Sequence, residues 1–354
     1  MIRELINFTN DLVTSLPEVK QWNNRPSKGL HIFIELDENG NWRNRELQQE
    51  IDFDYYDGKT DETPLLIQAK QFAEFSRTVG ASTDTNKILD MGAGGKKIHS
   101  CSPFVVSFKI KELINVASRL NPYFEAAFNI CLGNDEKDSV LKQMSISFKN
   151  VCRDVLKLLP SLKIQINSKR GDDRDCVTLS DLKEDNYIYI YLKDISLEEY
   201  ERAHNNYLKK KIFNDNSYNS EKELSDNTFG LSAFRFGLNS KKTFLAHKTA
   251  SMYKGVAGRI TPSDARSLNT FDVLRARKIF PNPLPVFINK EEFRTQEEII
   301  KIFNDEGNPS YSQILKRIFE NNPDRILKNY YLLNYWREDI KDFDFVSLFS
   351  LNYS

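Results

Sequence analysis

Ile88-Leu-Asp-Met-Gly-Ala-Gly-Gly95, then Lys96-Lys-Ile-His-Ser-Cys-Ser-Pro103, then Phe104-Val-Val-Ser-Phe-Lys-Ile110: the spacing of these three runs decides the fold class. A glycine-rich turn behind an apolar run is how a doubly wound parallel sheet begins, with a helix and a second parallel strand to follow. The run 104–110 reads as a strand by its β-branched and aromatic content. Only eight residues separate Gly95 from Phe104, and a parallel crossover takes about a dozen or more. Those eight end in proline and make a poor helix. The chain is therefore expected to be α+β.

Outward from this stretch, Ile2, Leu5, Ile6, Leu12 and Val13 stand at helical spacing over 2–15. Residues 30–37 read as a strand ending at the Glu38-Asn39-Gly40-Asn41 turn, and Pro64 opens a helix to about Thr78. Helices are expected over 111–131 and 136–159, interrupted at Asn121-Pro122 and closed by Pro160. The charged turn Ser168–Asp175 is a candidate linker; beyond it come a strand at Tyr187–Leu192 and a helix at Leu197–Lys211. Pro281-Asn-Pro-Leu-Pro285 excludes helix and leads into a short strand at Val286–Ile288. From Glu291 to about Tyr335 the apolar spacing is helical, broken at Asn308-Pro309 and Asn322-Pro323. Three regions follow: 1–167, α+β; 176–293, α+β with a basic segment at 228–280; and 294–354, helical. Short sheets are expected in the first two.

The 354 residues are 40% hydrophobic and 28% charged, which excludes a wholly disordered chain. No apolar run approaches the roughly 20 residues of a membrane span, and charge breaks the apolar residues of Met1–Asn7, unlike a secretory leader. Cys101, Cys131, Cys152 and Cys176 form no C-x-x-C pair, so reduced thiols in a cytoplasmic protein are expected, without a disulfide framework or metal site. The 50 Lys+Arg balance 50 Asp+Glu. The balance hides a polarity: residues 31–64 hold ten acids against three bases, −7, and 228–280 hold ten bases against two acids, +8. In this stretch the bases are interleaved with Phe234, Phe236, Phe244 and Tyr253 and with Gly230, Gly237, Gly255 and Gly258. Glycines let a backbone approach a phosphate while Lys and Arg supply counter-charge.

The turn 88–95 looks like the one with which methyltransferases hold S-adenosylmethionine, and Glu112 falls where the partner acid would be sought. The short spacing to Phe104 counts against this, and it stands as the alternative reading. A P-loop fails because Asp90 occupies the first glycine position and Lys97 the Ser/Thr position. His31, His99, His204 and His247 have no partner at metal or triad spacing, and the paired acids Asp52/Asp54, Asp172/Asp173/Asp175 and Asp342/Asp344 sit in turn-like sequence. No nucleophile, base and orienting group come together. The chain is expected to be non-catalytic and to need no cofactor.

Four segments in order carry a resemblance: Lys96–Phe104, Tyr207–Asn214, Gly230-Leu-Ser with Leu238–Thr249, and Pro281–Phe293. They are similar to the large subunit of type I-B CRISPR surveillance complexes (Cascade), over about 87–293. Members of that family usually run several hundred residues further, into a helical domain resembling the small subunit. The resemblance implies a non-enzymatic antiviral subunit at the 5′-handle end of a guide RNA, beside other Cascade subunits. Such a subunit reads a protospacer-adjacent motif in double-stranded DNA, aids R-loop formation and recruits the helicase–nuclease. Candidate DNA contacts are Arg235, Asn239, Lys241, Lys242, Lys248, Lys254, Arg259, Arg275, Arg277 and Lys278, with Asn239 and Lys241 placed for base reading. Lys96, Lys97 and His99 form a second candidate surface, for guide RNA or a neighbouring subunit. A scaffold subunit that touches only protein is the remaining alternative.

Overall fold

The computed structural model describes residues 2–43, 45–59, 62–79, 87–90, 95–167, 174–213, 220–222, 225–231, 259–288, 292–321, 327–336 and 339–349. The chain is α+β, and it divides into two compact units: Met1–Asn24 with Ile212–Ser354, and Arg25–Lys211. The units do not follow the linear division at 167/176 and 293/294, because the first helix belongs with the carboxy-terminal half. That helix, α1 (Ile2–Ser15), buries Leu5, Ile6, Phe8, Thr9 and Leu12 along one stripe.

The unit 25–211 is built on a four-stranded sheet. In chain order it contains β1 (Gly29–Ile34), β2 (Phe53–Tyr56), α2 (Pro64–Glu74), β3 (Val105–Lys109), α3 (Leu113–Cys131) and α4 (Glu136–Leu158). The hairpin β4 (Ile164–Asn167) and β5 (Arg174–Val177), then β6 (Tyr187–Leu192) and α5 (Leu197–Lys211), complete it. The sheet order is β2-β1-β6-β3; only β1 and β6 run parallel. Every residue of β1 is buried, which explains its unbroken apolar run around His31. Helix starts follow local chemistry: Pro64 sits in the first turn of α2 behind a Thr63 cap, and Asp135 caps α4 through the Asp138 amide at 2.7 Å. Glu198 and Glu199 open α5 and Lys209–Lys211 close it, matching the helix dipole.

Two expectations are corrected in this unit. Pro122 does not interrupt α3, which is continuous. Val116 and Leu120 before it, and Tyr123, Phe124 and Phe128 after it, share one buried stripe. Each contributes about 1.5–3 kcal/mol by burial, against about 3 kcal/mol for the proline. Of the candidate linker at 168–175, residues 168–173 lie outside the described residues, and Arg174 and Asp175 belong to β5, since Ile164 to Asn167 lie opposite Val177 to Arg174.

The other unit continues with β7 (Ser220–Lys222), β8 (Ser225–Leu231), β9 (Arg259–Ile260), α6 (Pro262–Ala276), β10 (Leu284–Phe287), α7 (Phe293–Asp305) and α8 (Tyr311–Asn321). It ends in β11 (Leu327–Trp336) and β12 (Asp339–Phe349), so the expected helical part holds over 293–321 and gives way to a long hairpin. Strands order as β10-β11-β12. One core joins Leu5, Phe8 and Leu12 of α1 to Phe271 of α6, Val286 of β10 and Leu333 of β11. A second joins Phe287, Ile299, Ile314, Ile318, Leu327 and Tyr330.

Candidate nucleic-acid interface

The segment holding Lys96, Lys97 and His99 is pinned beside β3. Asp90, fully buried, accepts the amides of Lys97 at 2.8 Å and Ile98 at 3.0 Å on one oxygen, and Arg119 Nε at 2.8 Å on the other. The His99 amide donates to the Ser107 carbonyl at 2.7 Å, and the Cys101 amide to the Ser76 carbonyl at 2.8 Å. Residues 91–94 of the glycine-rich turn lie outside the described residues. Leu89 and Asp90 are not in a strand, residues 95–104 hold no helix, and Glu112 pairs with Lys97 at 2.8 Å.

The sheet sets what lies next to this segment. Register places Lys109 of β3 opposite Tyr187 of β6, and Gly29 of β1 on the far side of the same tyrosine. Lys109 Nζ stands 5.9 Å from the Tyr187 ring centre and 3.0 Å from Asp185, which Lys111 also reaches at 2.8 Å. Those two lysines, Lys111 foremost, hold the Asp185 carboxyl down at about 2. His99 Nδ1 lies 3.2 Å from the Tyr187 hydroxyl. Burial, aided by the charges of Lys96 and Lys109, lowers the imidazole to about 4. At neutral pH His99 therefore offers hydrogen bonding and no charge. Burial also lowers Lys96. The sequence pattern does not single out Lys109, Lys111 and Tyr187; the signal is two lysines at the end of one strand and a tyrosine at the start of another, legible only once register is known.

Of the candidate DNA contacts, Arg235, Asn239, Lys241, Lys242, Lys248 and Lys254 lie outside the described residues. Arg259 is on β9, opposite Leu231. Arg275 is a correction. It is 6% exposed, bonds Asp272 at 2.8 Å and lies 5.8 Å from the Tyr335 ring, so its guanidinium presents no open face to a phosphate. Arg277, half-buried at the end of α6, donates to the Lys20 carbonyl. Lys278 follows with positive φ and an exposed side chain. Arg277 and Lys278 are adjacent in this unit; Lys96, Lys97 and His99 belong to the other.

Three thiols, Cys101, Cys131 and Cys152, are buried and raised by burial, Cys131 to about 12. Among the described residues no group of His, Cys, Asp or Glu could hold a metal ion, and no helix is long and apolar enough to cross a membrane. No protein-family model matches the chain, and neither a curated protein nor a solved structure matches it.

Proposed function

We propose that the chain is a non-catalytic large subunit of a type I-B CRISPR surveillance complex. In this reading it recognises a protospacer-adjacent motif in double-stranded DNA, aids R-loop formation and recruits the helicase–nuclease. The observation that carries the reading is the ordered set of four segments between 96 and 293, together with the +8 charge of 228–280. A local basic stretch in a neutral chain suits a protein that meets DNA over one limited face and leaves most sequence reading to base pairing. Lys278 extends that stretch past α6, while Arg275 drops out of it. The surface at Lys96, Lys97 and His99, enlarged by Lys109, Lys111 and Tyr187, would face guide RNA or a neighbouring subunit. Lys97 stands paired with Glu112, and Lys109 and Lys111 with Asp185, so a phosphate would displace those carboxylates, and Tyr187 adds a ring to stack against.

The test is reconstitution. The reading expects the chain to co-purify with a guide RNA and repeated backbone subunits, and the assembled complex to bind target DNA with a steep salt dependence. Lys241→Ala with Lys242→Ala should weaken that binding and flatten the salt slope by about one unit for each phosphate no longer neutralised. An unchanged slope removes the DNA assignment for 228–280. A chain that purifies alone and crosslinks to no nucleic acid in any assembly overturns the whole reading.

A further inference from the structure

β12 is the outer strand of the sheet β10-β11-β12. Register puts Phe343 opposite Leu333 and Phe345 opposite Tyr331 on one face, with Asp342 opposite Asn334 and Asp344 opposite Leu332 on the other. On the first face Leu333 is wholly buried and Tyr331 packs against the same core. The rings of Phe343 and Phe345 lie 6.0 and 5.6 Å from that of Tyr331, yet they are 46% and 54% exposed. Apolar surface on this face thus runs from the buried core to exposed positions. Aromatic side chains bury roughly 150–250 Å² each, so these two at half exposure leave on the order of 200 Å² of apolar surface on one face.

Among the described residues no strand pairs with the outer backbone edge of β12. The Phe343 amide donates to the carboxylate of Asp342 at 2.8 Å, so this donor is turned away from β11. Alternate residues of a strand direct their amides and carbonyls the same way, and Phe345 therefore shares the outward direction. β12 spans 11 residues, and 341–345 are all exposed.

We propose that β12 is a docking edge for an extended segment of a second protein, which pairs with it as a fourth strand. The segment's apolar side chains would lie beside Phe343 and Phe345, and its basic ones beside Asp342 and Asp344. Main-chain bonds give such strand addition its affinity, and the alternating side chains give it specificity. The carboxylates select the occupant. A second copy of this chain pairing antiparallel about Phe343 would set Asp342 opposite Asp344 at two places, and like charges directly opposite are destabilising. An apolar–basic segment meets complementary charge on one face and aromatic rings on the other. This inference does not depend on the nucleic-acid reading.

The probe is a fluorescent alternating valine–lysine octapeptide, titrated by anisotropy into the full chain. Controls are the same residues in two blocks and an alternating valine–glutamate octapeptide. The alternating basic peptide should bind most tightly, and Phe343→Ser with Phe345→Ser should weaken it by about tenfold or more. Asp342→Lys with Asp344→Lys should reverse the preference toward the glutamate peptide. Both double variants alter exposed positions, and unchanged thermal melting shows that they fold. The inference is overturned if the block peptide binds as tightly as the alternating one, or if the charge swap leaves the preference unmoved. It is also overturned if the chain dimerises in sedimentation and the Phe343/Phe345 variant abolishes the dimer.

Discussion

Acidifying the protein from pH 7 to pH 5 should cost it stability through His31. This side chain is fully buried on β1, its ring stacked 5.0 Å from Tyr189. Nε2 lies 2.8 Å from the Ser27 carbonyl, which can only accept, so Nε2 carries the proton and Nδ1 accepts from the Tyr191 hydroxyl at 3.1 Å. Burial holds the imidazole down at about 4, against an ordinary 6.5. Above the ordinary value neither the folded nor the unfolded chain protonates it. Below that value the unfolded chain takes a proton that the fold refuses, so stability falls until the pH reaches about 4. The whole difference is worth about 3 kcal/mol, of which about 2 kcal/mol is lost by pH 5. His99, lowered similarly but only partly buried, adds a smaller loss because solvent screens it. Carboxylates such as Asp185, held near 2, add theirs only further down. The assay is urea unfolding at the two pH values, followed by Trp42 fluorescence in a Trp22→Phe, Trp336→Phe background; Trp42 reports on the unit that holds both histidines. His31→Gln keeps a donor for the Ser27 carbonyl and should cut the pH-dependent loss from about 3 to about 1 kcal/mol. An equal loss in both proteins would refute the assignment.

Asp90→Asn should destabilise the unit 25–211 by about 3 kcal/mol in chemical denaturation, because it leaves Arg119 without its buried partner and loosens the Lys97 and Ile98 amides. Gly29→Ala should fail to accumulate as soluble protein: its φ is +140° and a Cβ would sit 1.9 Å from the Tyr187 carbonyl oxygen. A thiol reagent should modify exposed Cys176 quickly in the native protein, and buried Cys101, Cys131 and Cys152 only after denaturant is added. Rapid reaction of a second thiol would show that one of those three is accessible.

The elements legible in the sequence are those with one clean period. α1, β6 and α5 occupy the residues their patterns mark, since each has a single burial periodicity and ordinary stop signals. β11 reads as helix in the sequence for a physical reason. Its two faces pack on different cores, Tyr330 and Leu332 on one and Tyr331 and Leu333 on the other, so apolar residues fall at consecutive positions and the two-residue alternation disappears. Tyr330, Tyr331, Tyr335 and Trp336 in a single run are the β signal that remains. For the candidate site, the sequence marks Lys96, Lys97 and His99 as a basic cluster. It cannot show that Lys97 is paired to Glu112 or that Tyr187 is brought beside His99, because both depend on contacts across 15 and 88 residues. Arg275 illustrates the converse, a base counted toward a surface that the fold turns inward.

The interruption of one unit by the other has a consequence for synthesis. Leu5, Phe8 and Leu12 of α1 complete a core with Val286 and Leu333, which leave the ribosome only near the end of translation. At roughly 5–20 residues per second, α1 waits on the order of 15–60 s with its apolar stripe unmatched, while 25–211 emerges as one contiguous stretch and can fold first. The nascent chain thus carries an unmatched apolar helix past a stretch that can already be folded, and transiently exposed apolar surface of this kind makes a partly synthesised chain prone to aggregate.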